Sequence, residues 1–291
     1  PEDFSYGEFP ENFEHFEPYL EAALKRVPLL EKAGIRKFFA GPESFTPDTN
    51  TLLGEVPGIK NLFACCGLNS IGIGSGGGVG KVTAEWLMNG HINEDLFIYD
   101  IKRFQNFHSD IKFITERITE TLGDLYGMHW PYKQHKTSRN VKLLPYHEDL
   151  KKAGACFGAA GGYERPMWYS KNGISEYKYS YNFQNWYPSA ELETKNTIQN
   201  VGLYELTPFS KFDLKGDRVY EELQKICTAN IKNDIGKCTY TQMLNSDGGI
   251  ETDLTVVCIS NNHYRVIGSA ATRERDKFHI KKYINNENIE L

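Results

Sequence analysis

The sequence predicts two folds in succession, an α/β part and then an α+β part. Two observations carry this. Residues 61–90 read as strand, glycine-rich turn and helix, the unit of an α/β layer. After about residue 143 the pattern changes to short alternating segments separated by turn residues, the mark of antiparallel hairpins.

Composition supports a packed chain. It has 291 residues, 40% hydrophobic and 13% aromatic, enough for a sizeable core. The formal net charge of −5 argues against a nucleic-acid or anionic-membrane surface, so neither partner is expected. The longest apolar stretch, near Asn61–Gly67, is far too short to span a bilayer. The six cysteines include no C-x-x-C pair and read as reduced thiols, as in a bacterial cytoplasm or a mitochondrial matrix. Cys65 and Cys66 lie in an apolar run and read as small core hydrophobes. The sequence starts at Pro1 without a targeting pattern, and an internal piece of a longer protein is expected.

The elements follow in order. Residues 14–33 place Phe16, Tyr19, Leu20, Ala23, Leu24 and Val27 at helical spacing, with Pro28 as the interruption. GPESFTPDTN, residues 41–50, is rich in turn formers and reads as an ordered loop. NLFACCGL, residues 61–68, is a continuous apolar run and predicts a strand buried on both faces. The stretch GLNSIGIGSGGGVG, residues 67–80, follows as a glycine turn, then VTAEWLMNG as a helix capped by Gly90. Residues 109–126 predict a helix with Ser109 as N-cap and Ile111, Ile114, Ile118, Leu122 and Leu125 on its apolar face. Pro131 and KQHKTSRN read as a connector. Beyond it, SEYKYSYNF, KCTYTQML, TDLTVVCI and HYRVIGSA alternate as strands, with turns at NSDGG, 245–249, and SNN, 260–262. One helix at about 217–227 turns Val219, Tyr220, Leu223 and Ile226 inward. The expected division is 1–100, 101–142 and 143–291.

Several familiar motifs fail on inspection. GIGSGG, residues 72–77, satisfies G-x-G-x-x-G but lacks the second βα unit and acidic residue of a dinucleotide fingerprint. GSGGGVGK lacks the first P-loop glycine, since position 75 is Ser, and Val82 replaces the metal-binding hydroxyl. No H-x-x-x-H or H-E-x-x-H spacing occurs, so no metal site is expected. No G-x-S-x-G elbow anchors a hydrolase. What remains is a glycine-rich approach to a flat or anionic ligand, presented by backbone N–H groups. A second candidate is Tyr240 with Asp253, on two segments joined by the NSDGG turn. An aromatic face beside a carboxylate suits a flat heterocycle with N–H donors. On the residues alone, a solvated aspartate and a core tyrosine are the more ordinary reading.

Taken together, the segments resemble a known family. GPESFTPD and GLNSIGIGSGGGVG followed by AEWL look like the last part of the flavin domain of dimethylglycine and sarcosine dehydrogenases. DIKRF and the helix ending in HWP are similar to their connector. LPYHEDLKKAGACFG and GGYERPMWY look like the start of their folate domain. VGLYELTPFSKFDLKG and YTQMLNSDGGIETDLTV resemble the aminomethyltransferase (T-protein) of the glycine cleavage system. The implied fold is the C-terminal part of an FAD-binding oxidoreductase domain followed by the first part of an aminomethyltransferase-like folate-binding domain.

The resemblance implies FAD and tetrahydrofolate as cofactors and a small N-methyl amine as substrate. FAD takes a hydride equivalent from the amine, and the one-carbon unit passes to tetrahydrofolate. The electron acceptor is a flavoprotein or oxygen. The resemblance assigns Gly67, Asn69, Ser70, Ile71, Gly72 and Ile73 to the flavin ring edge, with Phe45, Thr46, Pro47 and Asp48 nearby. A well-ordered turn explains the last four equally well. In the folate half it assigns Tyr240 and Asp253 to the pterin site, with Asp253 as general base or electrostatic partner. Phe209 falls where the T-protein pattern has a pocket methionine. ELTP stands where that pattern has aspartate, valine, serine and histidine. A non-catalytic relative, the regulatory subunit of pyruvate dehydrogenase phosphatase, is the alternative. The phosphate fingerprint of the flavin domain has no counterpart here, so the stretch alone is expected to bind FAD poorly.

Overall fold

A computed structural model describes residues 7–92, 94–173, 176–231, 233–284 and 286–291. They form two compact units, one ending at Ser44 and one spanning Phe45–Leu291.

The first unit holds helix α1 (Phe13–Arg26), started by Asn12, whose side chain accepts the His15 N–H at 2.9 Å. The chain passes through Val27 into a short 3-10 turn, Pro28–Lys32, so the proline ends the α-helix as the sequence indicates. Phe38 stacks on Phe13 with centroids 4.6 Å apart and meets Phe16 at 5.2 Å.

The second unit begins with a hairpin of β1 (Leu52–Glu55) and β2 (Phe63–Cys66), then helix α2 (Gly72–Asn89). Two sequence expectations change here. β2 is one strand of a two-stranded antiparallel ribbon, not a strand buried on both faces, and Cys65 and Cys66 are exposed. A two-stranded ribbon has few neighbours to cover both faces of an apolar run. The glycines from 72 to 80 form the first half of α2 rather than a turn. The turn is confined to residues 67–71. Glycine propensity is overridden because the helix is fixed at its far end. There Trp86 packs on Gly54 of β1, at φ +104, where any Cβ would collide with the indole. Gly90 closes the helix in the left-handed conformation, its N–H donating to Trp86 O at 2.8 Å.

Helix α3 (Ile111–Asp124) is started by Asp110, which accepts the Phe113 N–H at 2.9 Å, so Asp110 and not Ser109 is the N-cap. Its buried residues are Phe113, Arg117 and Thr121, while Ile111 and Leu122 of the expected apolar face are exposed. The cause is the connector. Glu120 accepts the N–H groups of Lys136 and Thr137 at 2.7 and 2.8 Å, and Arg117 donates to Thr137 O at 2.8 Å. A polar helix face is thus covered by backbone.

Helix α4 (His147–Lys152) leads to a bulged antiparallel hairpin of β3 (Ala155–Ala160) and β4 (Tyr163–Tyr169). Glu164 of β4 binds Arg139 Nε at 2.8 Å and Asn140 N–H at 2.8 Å, docking the connector on the hairpin. SEYKYSYNF is not a strand among its described residues. Asn185 holds it as a loop instead, accepting the Lys178 N–H at 2.9 Å and donating to Glu176 O at 2.8 Å. Residues 174 and 175 lie outside the described set.

Helix α5 (Tyr187–Gln199) precedes the main sheet. In chain order its parts are β5 (Ser210–Gly216), helix α6 (Val219–Ile226), β6 (Cys238–Leu244), β7 (Ile250–Ser260), β8 (His263–Gly268), helix α7 (Arg273–Tyr283) and β9 (Ile289–Glu290). The strands pair antiparallel in the order β6-β7-β8-β5-β9. Val219 and Leu223 of α6, Ile280 of α7 and Ile284 just after it join Leu214, Met243, Leu254, Val256, Tyr264 and Val266 in one core. Both helices therefore cover the same face of the sheet. The alternate residues, Tyr240, Asp253, Arg265 and Lys211 among them, lie on the other face. The outer edge of β6 is occupied by residues 227–229. Cys227 bridges Met243, and the Thr228 N–H donates to Gln242 O at 2.9 Å.

Candidate functional site

Two groups of residues named from the sequence are brought together by the fold. The first gathers two loops before α2. Thr46 is buried, and its N–H donates to Asn69 Oδ1 at 2.9 Å across 23 residues of chain. The Asn69 amide donates in turn to Gly67 O at 2.6 Å. Gly67, Asn69 and Ser70 all hold positive φ, at 63, 47 and 67°. Two consecutive non-glycine residues in this region are strained and need such bracing. A Cβ on Gly67 would come within 2.7 Å of Thr46 Cγ2, which keeps that position small.

Asp48 anchors the other loop. Its carboxylate accepts Arg103 Nε at 2.6 Å and Nη2 at 2.9 Å, a two-point pair. Arg103 also donates to the carbonyls of Asn50, Thr51, Tyr99 and Asp100. Phe45 and Pro47 are half-buried beside Thr46, whereas Ile71 and Ile73 project into solvent.

The bracing presents the first turn of α2, whose Ile71 cap supplies no side-chain hydrogen bond. The N–H groups at 72–74 belong to the turn that no helical carbonyl can satisfy. A Cβ added at Gly74, Gly76 or Gly77 would meet nothing, so the helix flank is a side-chain-free surface. Free N–H groups at a helix N-terminus beside a flat open flank fit the electron-rich edge of a planar ring such as flavin.

The second group lies on the exposed sheet face. Tyr240 on β6 pairs with Thr255, and Gln242 pairs with Asp253 on β7. This diagonal lets the Tyr240 hydroxyl donate to Asp253 Oδ2 at 3.0 Å. Tyr240 is 62% exposed, so it is no core residue. Phe209 directly precedes β5, on the same face by alternation with buried Ser210, and is exposed. β8 lies between its strand and β7, a separation of roughly 10 Å. An aromatic ring, a carboxylate held by a hydroxyl and an apolar wall fit a flat heterocycle with N–H donors, as in a pterin.

Sequence reasoning missed Arg103 as the clamp on Asp48, although DIKRF was singled out. It also missed Asp276 of α7, which is 1% exposed and accepts from Thr272 Oγ1 at 2.7 Å. Burial pushes its carboxyl up to about 6, opposed by the Thr272 and Thr252 hydroxyls and reinforced by the charge of Asp253. The run RERDKFHIKKY gives no signal of this, because it reads as a solvated charged helix. Among the described residues no cluster of three His, Cys, Asp or Glu could hold a metal, and no helix is long and apolar enough to cross a membrane.

The two groups of residues fall in stretches that match different family models. Residues 2–86 match the FAD dependent oxidoreductase model, 89–143 the FAD dependent oxidoreductase central domain, and 146–291 the GCVT N-terminal domain. The chain belongs to the family that joins these flavin-oxidoreductase regions to a GCVT domain. Its relatives include 4-methylaminobutanoate oxidase (formaldehyde-forming) of Paenarthrobacter nicotinovorans, 38% identical over 95% of this chain and 34% of that protein. Human mitochondrial sarcosine dehydrogenase is 32% identical over 89% of this chain and 31% of that protein. The mouse mitochondrial pyruvate dehydrogenase phosphatase regulatory subunit is 30% identical over 94% of this chain and 32% of that protein. The chain spans about a third of the length of these relatives.

Proposed function

We propose that the chain is part of an enzyme that oxidatively demethylates an N-methylglycine-type amine, dimethylglycine or sarcosine, and passes the one-carbon unit to tetrahydrofolate. The observation that supports this best is the Tyr240–Asp253 pair on an exposed sheet face, in the same chain as the braced N-terminus of α2. In this reading residues 1–100 belong to the flavin side, 101–142 to a connector and 143–291 to the folate side. FAD, when bound, supplies the two-electron acceptor. The N–H groups at 72–74 hold negative charge at its edge, and the Thr46–Asn69 and Asp48–Arg103 contacts keep that turn in place. Asp253 takes up the proton of the attacking folate nitrogen, oriented by the Tyr240 hydroxyl, with Phe209 as a packing wall. The electrons leave to a flavoprotein or to oxygen, and the setting is a bacterial cytoplasm or a mitochondrial matrix.

The test is anaerobic reduction of the full-length protein by a panel of N-methyl amines, with and without tetrahydrofolate. Flavin bleaching by one amine is expected, with methylene-tetrahydrofolate formed by the native protein and lost in Asp253→Ala. A flavin that no amine bleaches would leave the regulatory reading, favoured by the similarity to the phosphatase regulatory subunit.

A further inference from the structure

An asparagine followed by glycine is a reactive pair, because glycine has no Cβ to crowd an attack on the asparagine side chain by its own amide nitrogen. The sequence holds two such pairs, Asn89–Gly90 and Asn172–Gly173. All four residues are exposed, so exposure does not separate them. Hydrogen bonding does. Asn89 is the last residue of α2, and the Gly90 N–H donates to Trp86 O at 2.8 Å. The Gly90 carbonyl in turn accepts Lys282 Nζ at 3.0 Å. The attacking nitrogen of this pair is therefore already spent and its peptide is held at both ends.

Asn172 lies in the bend 171–173 after β4. Its own N–H donates to Ser170 Oγ at 3.3 Å. Neither its side-chain amide nor the Gly173 N–H has a hydrogen-bond partner among the described residues. A Cβ added at Gly173, which holds φ +70, would meet nothing, so the space beside the pair is open. Related pairs are tied down. Asn69 is buried and its amide donates to Gly67 O. Asn245 Oδ1 accepts the N–H groups of Asp247 and Gly249 at 3.0 and 2.8 Å. The Gly248 N–H donates to Asn245 O at 3.1 Å, and the Asp247 carboxylate meets His91.

The charges around Asn172 act in the same direction. It lines a cavity of about 540 Å³ with Lys171 and Lys178, which have no carboxylate partner among the described residues, whereas Lys195 there is taken by Glu191 at 2.6 Å. Nearby positive charge favours the deprotonated amide that attacks. It also gives a carboxylate formed at this position two cations to face.

We propose that Asn172–Gly173 is a self-modification site. The deprotonated Gly173 nitrogen bonds to Asn172 Cγ, the Cγ–NH2 bond breaks, and the amide leaves as ammonia with a proton from water. Water then opens the resulting succinimide at either carbonyl, leaving aspartate or isoaspartate. No electrons are transferred, and the chain gains one negative charge beyond its formal −5. The site does not depend on the oxidation proposed above, and its test needs neither cofactor.

The test is incubation of the chain at pH 8, native and in denaturant, followed by peptide mass mapping and enzymatic counting of isoaspartate. In denaturant the two Asn–Gly pairs should convert at similar rates. In the native chain Asn172 should keep its rate within about threefold, while Asn89 slows by roughly tenfold or more. An acidic isoform should accumulate in step with conversion at Asn172 and be absent in Asn172→Gln, whose longer side chain closes a ring far more slowly. Native protection of Asn172 equal to that of Asn89, or an acidic isoform that persists in Asn172→Gln, would each overturn the proposal. Amine oxidation by the full-length protein is measured independently, so the two readings fail separately.

Discussion

The Tyr240 hydroxyl reaches diagonally across the β6–β7 ladder to donate to Asp253 Oδ2 at 3.0 Å. Both residues are exposed, so the bond adds little to folding, on the order of 0.5 kcal/mol. Its value lies in fixing the carboxylate. Tyr240→Phe should therefore leave the urea midpoint nearly unchanged and lower folate-dependent product formation several-fold in the full-length protein. A loss of stability beyond about 1 kcal/mol would show that the pair is structural.

Asn69 makes the opposite prediction. Truncation to Ala removes the acceptor of the buried Thr46 N–H and the donor to Gly67 O together. It also leaves a positive φ on a residue less suited to it. The expected loss is about 2–3 kcal/mol, read from equilibrium unfolding. Flavin affinity of the full-length protein should fall with it. Asn69→Gly, which relieves the backbone but not the hydrogen bonds, should recover only part.

The carboxyl of Asp276 is pushed up to about 6 from an ordinary 3.8. Between these values the native state holds more protons than the unfolded state. Stability from this residue is therefore present at low pH and lost as pH rises through about 6, a swing of up to about 3 kcal/mol. Half-buried His108 works in the other direction, its pKa lowered to about 4, so its contribution is lost as pH falls. The informative measurement is the difference in unfolding free energy between native protein and Asp276→Asn. That difference should move in favour of the variant from pH 4 to pH 7. A flat difference would contradict the raised value.

The thiols sort into two classes. Cys65, Cys66 and Cys238 are exposed, whereas Cys156, Cys227 and Cys258 are buried. Burial pushes the Cys156 thiol up to about 11 and the Cys227 thiol up to about 12, so both stay protonated as well as shielded. A thiol reagent at pH 8 should label three sites of the native chain quickly and the other three only on unfolding. Fast labelling of Cys156 or Cys227 would show that the surrounding packing opens.

Much of the sheet was legible because alternation and turn chemistry agree. Met243, Leu254, Val256 and Val266 point inward at period two, and NSDGG and SNN fall at the hairpin turns. The register of α3 was not. Periodicity sees apolar side chains, and this helix spends its inward face on Arg117 and Glu120, whose partners are backbone groups of residues 136–138. Cys65 and Cys66 misled for a related reason. An apolar run shows that a strand can be buried and not what covers it. The residues around the α2 N-terminus were named from resemblance, but their bracing rests on contacts between Thr46 and Asn69 and between Asp48 and Arg103. Those separations of 23 and 55 residues are invisible to any local pattern.

The segment lying along β6 has a consequence for the chain in crowded solution. An open strand edge is a template on which a second molecule can extend the sheet. Here Cys227 and Thr228 occupy that edge at Met243 and Gln242, and the far end of the sheet stops at the two-residue β9. A neighbouring molecule would have to peel residues 227–229 away before adding a strand. The main sheet is thereby guarded at both ends against edge-to-edge stacking and fibrous growth.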